Sequence, residues 1–209
     1  MKKDNIEHFS EDIQGWFSFP NLYKAFVEHF PKDSHFVEVG AWLGKSASFM
    51  AVEINNSKKD IKFDCVDTWG GSEDLLNEDG LLKFNWTKHD ENGKLLWKQD
   101  FLMTPDELYE KFLENVKPVK HVINPIKMES IEASKLYKDA SLDMVFIDGV
   151  HDFDNVKNDI KAWLPKVKVG GYIAGHDYSW DPEVRRAVHT VFNTIDQEVE
   201  GCWVKLIKS

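Results

Sequence analysis

His35-Phe36-Val37-Glu38-Val39-Gly40-Ala41-Trp42-Leu43-Gly44-Lys45-Ser46 is the stretch that decides the fold. A short apolar run closes on an acid and a glycine. Three residues separate Gly40 from Gly44, and a segment of helical character follows from 45 to about 55. Strand, tight turn and helix start form the unit that α/β folds use to hold nucleotide-like ligands. Glycine lacks a Cβ, so the backbone can turn sharply there and a ligand can come close. An ordinary strand-to-helix turn would read the same way, so the rest of the chain has to decide.

Outward from that unit, strands and helices alternate. Upstream, Leu22, Ala25, Phe26 and His29 share one face of a helix over 21–30, which Pro31 stops. Downstream come strands at 62–66, near 120–123, at 142–147 and at 172–174, where Gly170-Gly171 turns the chain into the strand. A last strand lies at 202–207. Helices fit 130–137, 152–164 and 181 to about 195. Thr104-Pro105-Asp106-Glu107 is a capping-box start for a helix reaching about 116. Residues 73–101 break the rhythm: polar, with Gly80 and Gly93, they read as an irregular lid, oligomer contact or loop. The expectation is one domain over 1–209, with N-terminal helices in 1–30 and an insert at about 73–118. Its fold is an α/β, Rossmann-like, doubly wound, mainly parallel sheet in a three-layer sandwich, with an antiparallel C-terminal strand.

The chain has 209 residues, enough for a full core, and a formal net charge of -10. That charge argues against a phosphate-tracking surface, so no nucleic-acid partner is expected. No apolar run approaches the ~20 residues that cross a bilayer. The lysines at positions 2 and 3 have no apolar segment behind them, so no membrane partner or signal peptide is expected and the location reads as cytoplasmic. Cys65 and Cys202 read as buried, reduced thiols. Of eight tryptophans, Trp16, Trp42, Trp69, Trp86, Trp97 and Trp180 fall in or near loops. Aromatics there suit a cleft for a flat or sugar-like substrate, or an oligomer contact such as a homodimer.

Ligands of such sheets bind at the carboxyl ends of the strands. The residues just past those ends are Glu38, Gly40 and Gly44, then Asp67, then Asp148 with His151, and finally His176 with Asp177. An acid after the second strand suits the hydroxyls of a ribose, so Asp67 is read there with Trp69 beside the ligand. A dinucleotide fingerprint wants Gly-x-Gly-x-x-Gly, but its second glycine is here Trp42, which would obstruct a pyrophosphate. Glu38 better suits a cationic or zwitterionic ligand.

These motifs resemble those of the class I S-adenosylmethionine-dependent methyltransferases. The resemblance is to the catechol-type O-methyltransferases and their bacterial small-molecule and sugar relatives. It extends through Phe146-Ile147-Asp148-Gly149-Val150-His151-Asp152, Trp163-Leu164-Pro165, Gly170-Gly171-Tyr172-Ile173-Ala174-Gly175-His176-Asp177-Tyr178 and Val184-Arg185-Arg186-Ala187-Val188. The resemblance implies that Glu38, Gly40, Ala41, Gly44 and Ser46 hold the methionine end of S-adenosylmethionine. It places Asp67 and Thr68 at the ribose, and Met128, Glu129 and Ser130 by the adenine, with Asp148 also at the cofactor. Asp148 and Asp177 match positions that bind a divalent metal in relatives. His176 stands where those relatives carry an acid, which permits a metal softer than magnesium. His151 stands where some relatives carry a catalytic lysine.

The expected activity is methyl transfer to a hydroxyl of a small molecule or sugar, with Asp148 and His151 as catalytic residues and His151 as general base. N-methylation is open. Two other readings compete: a nicotinamide-dependent oxidoreductase, and a catalytically inactive binding or assembly protein on the same fold.

Overall fold

In the computed structural model, residues 4–71, 75–89, 92 and 94–208 are described. Lys2, Lys3, Ser72 and Gly93 lie outside them, as does the side chain of Trp97. Pro20–His29 forms α1, with Pro at the first helical position, where its missing N–H costs nothing. His35–Val39 is β1, Lys45–Ser57 is α2 and Lys62–Asp67 is β2.

The insert departs from expectation. Leu82–His89 (β3) and Leu95–Met103 (β4) pair antiparallel as a hairpin, separate from the main sheet. Leu82 and Phe84 are buried, and Phe84 stacks on Phe101 and meets the Trp42 ring edge-on at 5.1 Å. Burial of alternate residues against the loop after β1 is what makes this segment a strand. Pro105–Asn115 is α3, and Thr104 and Glu107 form the expected reciprocal cap.

Ile123–Lys127 is β5, displaced from the expected 120–123 because a 3-10 turn at Lys117–Val119 continues past Pro118. Pro125 lies inside it, tolerated because β5 is an edge strand bonded only to β2. Ser130–Ser134 (α4) is shorter than expected, while Leu142–Ile147 (β6) is as expected. Phe153–Trp163 (α5) is capped by the Asp152 side chain. Val167–Gly175 (β7) begins before the Gly170-Gly171 pair, with an irregular register against β6 there. Pro182–Val191 (α6), capped by Asp181, stops short of 195. Gln197–Val199 (β8), absent from the sequence reading, precedes Cys202–Leu206 (β9).

The sheet order is β5-β2-β1-β6-β7-β9-β8, with the first five strands parallel and β9 and β8 antiparallel. Successive residues of each strand feed opposite faces. Phe36, Phe63, Met144 and Phe146 join the core under α1, α2 and α3, while Val37, Val145 and Ile147 join the one under α4, α5 and α6. The three-layer arrangement follows. Among the described residues no helix is long and apolar enough to cross a membrane, and both cysteines are free and buried.

Candidate active site

From β1 the chain winds outward through β2 to β5, then returns to place β6 on the other side of β1. A crevice opens at such a reversal, beyond the carboxyl ends of the strands. Backbone bonds tie those ends together. Gly40 N–H donates to Val66 O, Asp148 N–H to Val39 O, His176 N–H to Ile147 O and Met128 N–H to Asp67 O. Trp42, Trp69 and Asp177, none of them glycine, have φ near +46°, +47° and +60°. Such strain persists only where surrounding structure enforces it, and it concentrates at functional sites.

Both glycines of the opening stretch are explained by packing. Gly40 has φ +89°, and a Cβ there would lie 2.0 Å from the Asp148 carbonyl oxygen. At Gly44 a Cβ would meet the Val116 side chain at 2.7 Å. Asp67, expected at the ribose, bonds the backbone of two loops. One carboxylate oxygen accepts from the N–H groups of Ala41 and Trp42, both at 2.8 Å, and the other from Trp69 N–H at 2.7 Å. Asp67 latches the loop after β1 to the loop after β2. Burial raises its pKa in spite of these donors.

Trp69, expected beside the ligand, is a core residue in this structure. Its indole is fully buried against Tyr109 and Phe112, and its Nε1 donates to the Trp42 carbonyl. Thr68 accepts from Gly70 N–H. Ser130 accepts from Trp163 Nε1, while Met128 is half buried and Glu129 exposed at the strand end. Glu38 is fully buried beneath the loop and accepts from the Tyr23 hydroxyl at 2.9 Å. Burial pushes it up to about 7, against the Ser46 and Tyr23 hydroxyls, which hold it down.

At the ends of β6 and β7, Asp148, His151 and Asp177 each turn a ligand atom to within 4.8 Å of the others. His151 Nε2 is 2.9 Å from one Asp177 oxygen and 3.9 Å from Asp148. His151 converges on the two acids of the expected metal set, and His176, its third expected member, is buried against both acids. His176 Nδ1 is 3.3 Å from Asp177 and 3.5 Å from Asp148, its Nε2 is 3.0 Å from the Ser18 hydroxyl, and its ring packs on Phe19. Burial alone would lower His176, but hydrogen bonds to the two acids carry it up to about 9. Burial raises Asp148. For Asp177 burial also acts upward, but the two imidazoles outweigh it and hold the carboxyl well below its usual range. His151 is raised, chiefly by its bond to Asp177.

Beside this cluster lies a cleft of about 460 Å³, lined among others by Trp16, Ser18, Lys45, Trp86, His176 and Trp180. Of these, His176 was expected as a site residue and Trp16, Trp86 and Trp180 as aromatics suited to a cleft, whereas Ser18 and Lys45 were not singled out. Ser18 and Trp16 come from the N-terminal arm and Trp86 from the hairpin, so only the folded chain brings them together.

Comparison with known proteins agrees with this architecture. Residues 37–178 match the family model described as a methyltransferase domain. The chain belongs to that methyltransferase-domain family, which sets aside the nicotinamide reading. Among solved structures it is similar to the O-methyltransferase NovP, at 17% identity and TM-score 0.61, covering 91% of this chain and 79% of that one. It is also similar to a candidate caffeoyl-CoA O-methyltransferase from Staphylococcus aureus (11%, TM-score 0.54, 93% and 85% covered). A third is a candidate methyltransferase from Streptococcus mutans in complex with SAH (12%, TM-score 0.51, 91% and 97% covered). At these identities the likeness is one of fold. An uncharacterized protein of Acanthamoeba polyphaga mimivirus is 36% identical over 73 residues, 30% of this chain; the match spans 33% of that protein's length.

Proposed function

We propose that this protein transfers a methyl group to a hydroxyl of a small molecule, with His151 as the proton acceptor. The observation that carries the reading is the 2.9 Å contact between His151 Nε2 and Asp177 at the carboxyl end of β7, beside an open cleft. The family supports methyl transfer, and the printed description of NovP as an O-methyltransferase favours oxygen as the acceptor atom.

S-adenosylmethionine supplies, when bound, a methyl on a cationic sulfur whose S–C bond breaks as the new O–C bond forms. His151 takes the acceptor's hydroxyl proton at the ring nitrogen not engaged with Asp177, and Asp177, bonded to Nε2, stabilises the imidazolium that results. The loop from Gly40 to Gly44, with Glu38 and Ser46 beneath it, carries the methionine end. Thr68, Met128, Glu129 and Ser130 line the nucleoside end, and Asp67 acts there through the loop it latches. Alignment of acceptor and donor in the crevice supplies much of the rate.

Two carboxylates beside an imidazole fit a divalent cation, magnesium or a softer ion. Asp148 and Asp177 would hold it, and it would acidify and orient the acceptor hydroxyl while His151 stays free to take the proton. Calorimetry with S-adenosylmethionine, followed by a panel of hydroxyl compounds with and without chelator, tests the whole reading. Binding and release of S-adenosylhomocysteine are expected; a folded protein that takes up no S-adenosylmethionine would overturn it. Binding without turnover on any acceptor would favour the inactive-partner reading.

A further inference from the structure

Lys45 occupies the first position of α2, where a cation opposes the helix dipole. Its side chain is nevertheless only 9% exposed. The ammonium lies 5.1 Å from the centre of the Trp86 ring and 3.5 Å from a carboxylate oxygen of Glu11. Glu11 is 85% exposed, and a long contact to a solvated carboxylate does little to neutralise a buried charge. Lys45 is thus a cation held at an unfavourable position, facing a cleft.

The walls of that cleft are indoles. Trp16 and Trp86 meet edge to face at 6.3 Å, and Trp180 packs edge-on to His176 at 5.0 Å. Trp16 and Trp180 are among the most exposed large apolar residues described. Flat apolar faces turned into a cleft fit a ring, aromatic or sugar. A cage of indoles alone would also suit a quaternary ammonium. Here Lys45 already stands over Trp86 and repels a second cation, whereas an anion gains both its charge and the positive end of α2.

We propose that the methyl acceptor is a hydroxylated ring compound bearing an anionic group. This rests on the methyl-transfer reading above. The ring stacks among Trp16, Trp86 and Trp180, the anionic group pairs with Lys45, and the hydroxyl points toward His151 and Asp177. Aromatic acids and sugar acids share this chemistry.

The test is a tryptophan-fluorescence titration in saturating S-adenosylhomocysteine, whose own binding is measured first by calorimetry. The probes are 3,4-dihydroxybenzoate against catechol, and glucuronate against glucose. The expected result is that one acid binds about tenfold more tightly than its neutral counterpart, and which pair shows it identifies the source. Lys45→Gln should remove the difference, Trp16→Ala should weaken acid and neutral alike, and added salt should shrink the preference without any variant. Equal binding within both pairs, no binding by any probe, or a preference that survives Lys45→Gln would overturn the proposal. Failure to bind S-adenosylhomocysteine would overturn the methyl-transfer reading instead.

Discussion

Gly40 and Asp148 end neighbouring parallel strands, and they approach so closely that a single added carbon on Gly40 would sit 2.0 Å from the Asp148 carbonyl oxygen. The glycine is the seam along which β1 and β6 close. Gly40→Ala must therefore move the end of β6, and Asp148 with it, in addition to the strain of φ +89°. We expect a loss of roughly 3 kcal/mol or more, read as a lowered denaturant midpoint in equilibrium unfolding. A variant as stable as the parent would show that the two strand ends are free to separate.

Asp67→Ala removes three hydrogen bonds from backbone N–H groups at once. Each donor left unpaired costs about 1–3 kcal/mol where water cannot replace the partner. Loss of S-adenosylmethionine binding in the calorimeter is expected, together with faster amide exchange at Ala41 and Trp42. Weak binding with unchanged exchange would instead point to direct contact between Asp67 and the ligand.

Glu38→Gln tests a buried titration. Burial raises the carboxyl from 4.5 to about 7, so the folded state holds a proton that the unfolded state has released between those values. The resulting stability is full below about pH 4.5 and is lost as pH rises through about 7. Ionising Glu38 in the fold then costs about 3 kcal/mol. The parent's Tm should fall more steeply between pH 5 and 8 than that of the variant. Parallel curves from thermal scans would rule the titration out.

His151→Ala should leave cofactor affinity intact and lower kcat by about 100-fold or more. Because Asp177 raises the imidazole pKa, the parent's kcat should climb as pH passes above the ordinary histidine value of 6.5. The variant's profile should be flat over that range. A steady-state series at saturating cofactor decides between them.

Much of the fold was legible because the strands at 35–39 and 142–147 are apolar runs ended by acids or glycine, and because the helix caps at Thr104, Asp152 and Asp181 use side chains with a local task. The hairpin was missed although Leu82, Phe84 and Trp86 alternate with Lys83, Asn85 and Thr87. Its apolar side faces Trp42, a partner distant in sequence, and the polar surroundings hid the period. The strand that contains Pro125 was placed three residues early, since the edge position that tolerates a proline is not written in the local sequence. The strand-end acids were all found, but their partners within the fold were not. Which carboxylate holds backbone and which meets an imidazole depends on where neighbouring strands stop. Lys45 left a local trace, a cation at a helix start, and Trp16 and Trp86 left theirs as aromatics outside the regular elements, but nothing local showed that the three meet.

The bond between Ser18 and His176 joins residues 158 positions apart, and Glu200 binds Asn21 and the Leu22 N–H in the same way. During synthesis the arm that floors the cleft is made before its partners and must wait, with Phe19 uncovered, until Phe146 of β6 and His176 after β7 follow. A nascent chain arrested before β7 can assemble β1, α2 and β2 yet owns no acceptor chamber. The chamber is thus complete only once β7 and the turn to Trp180 have been made, and the waiting aromatic arm is where a chaperone would find its handle.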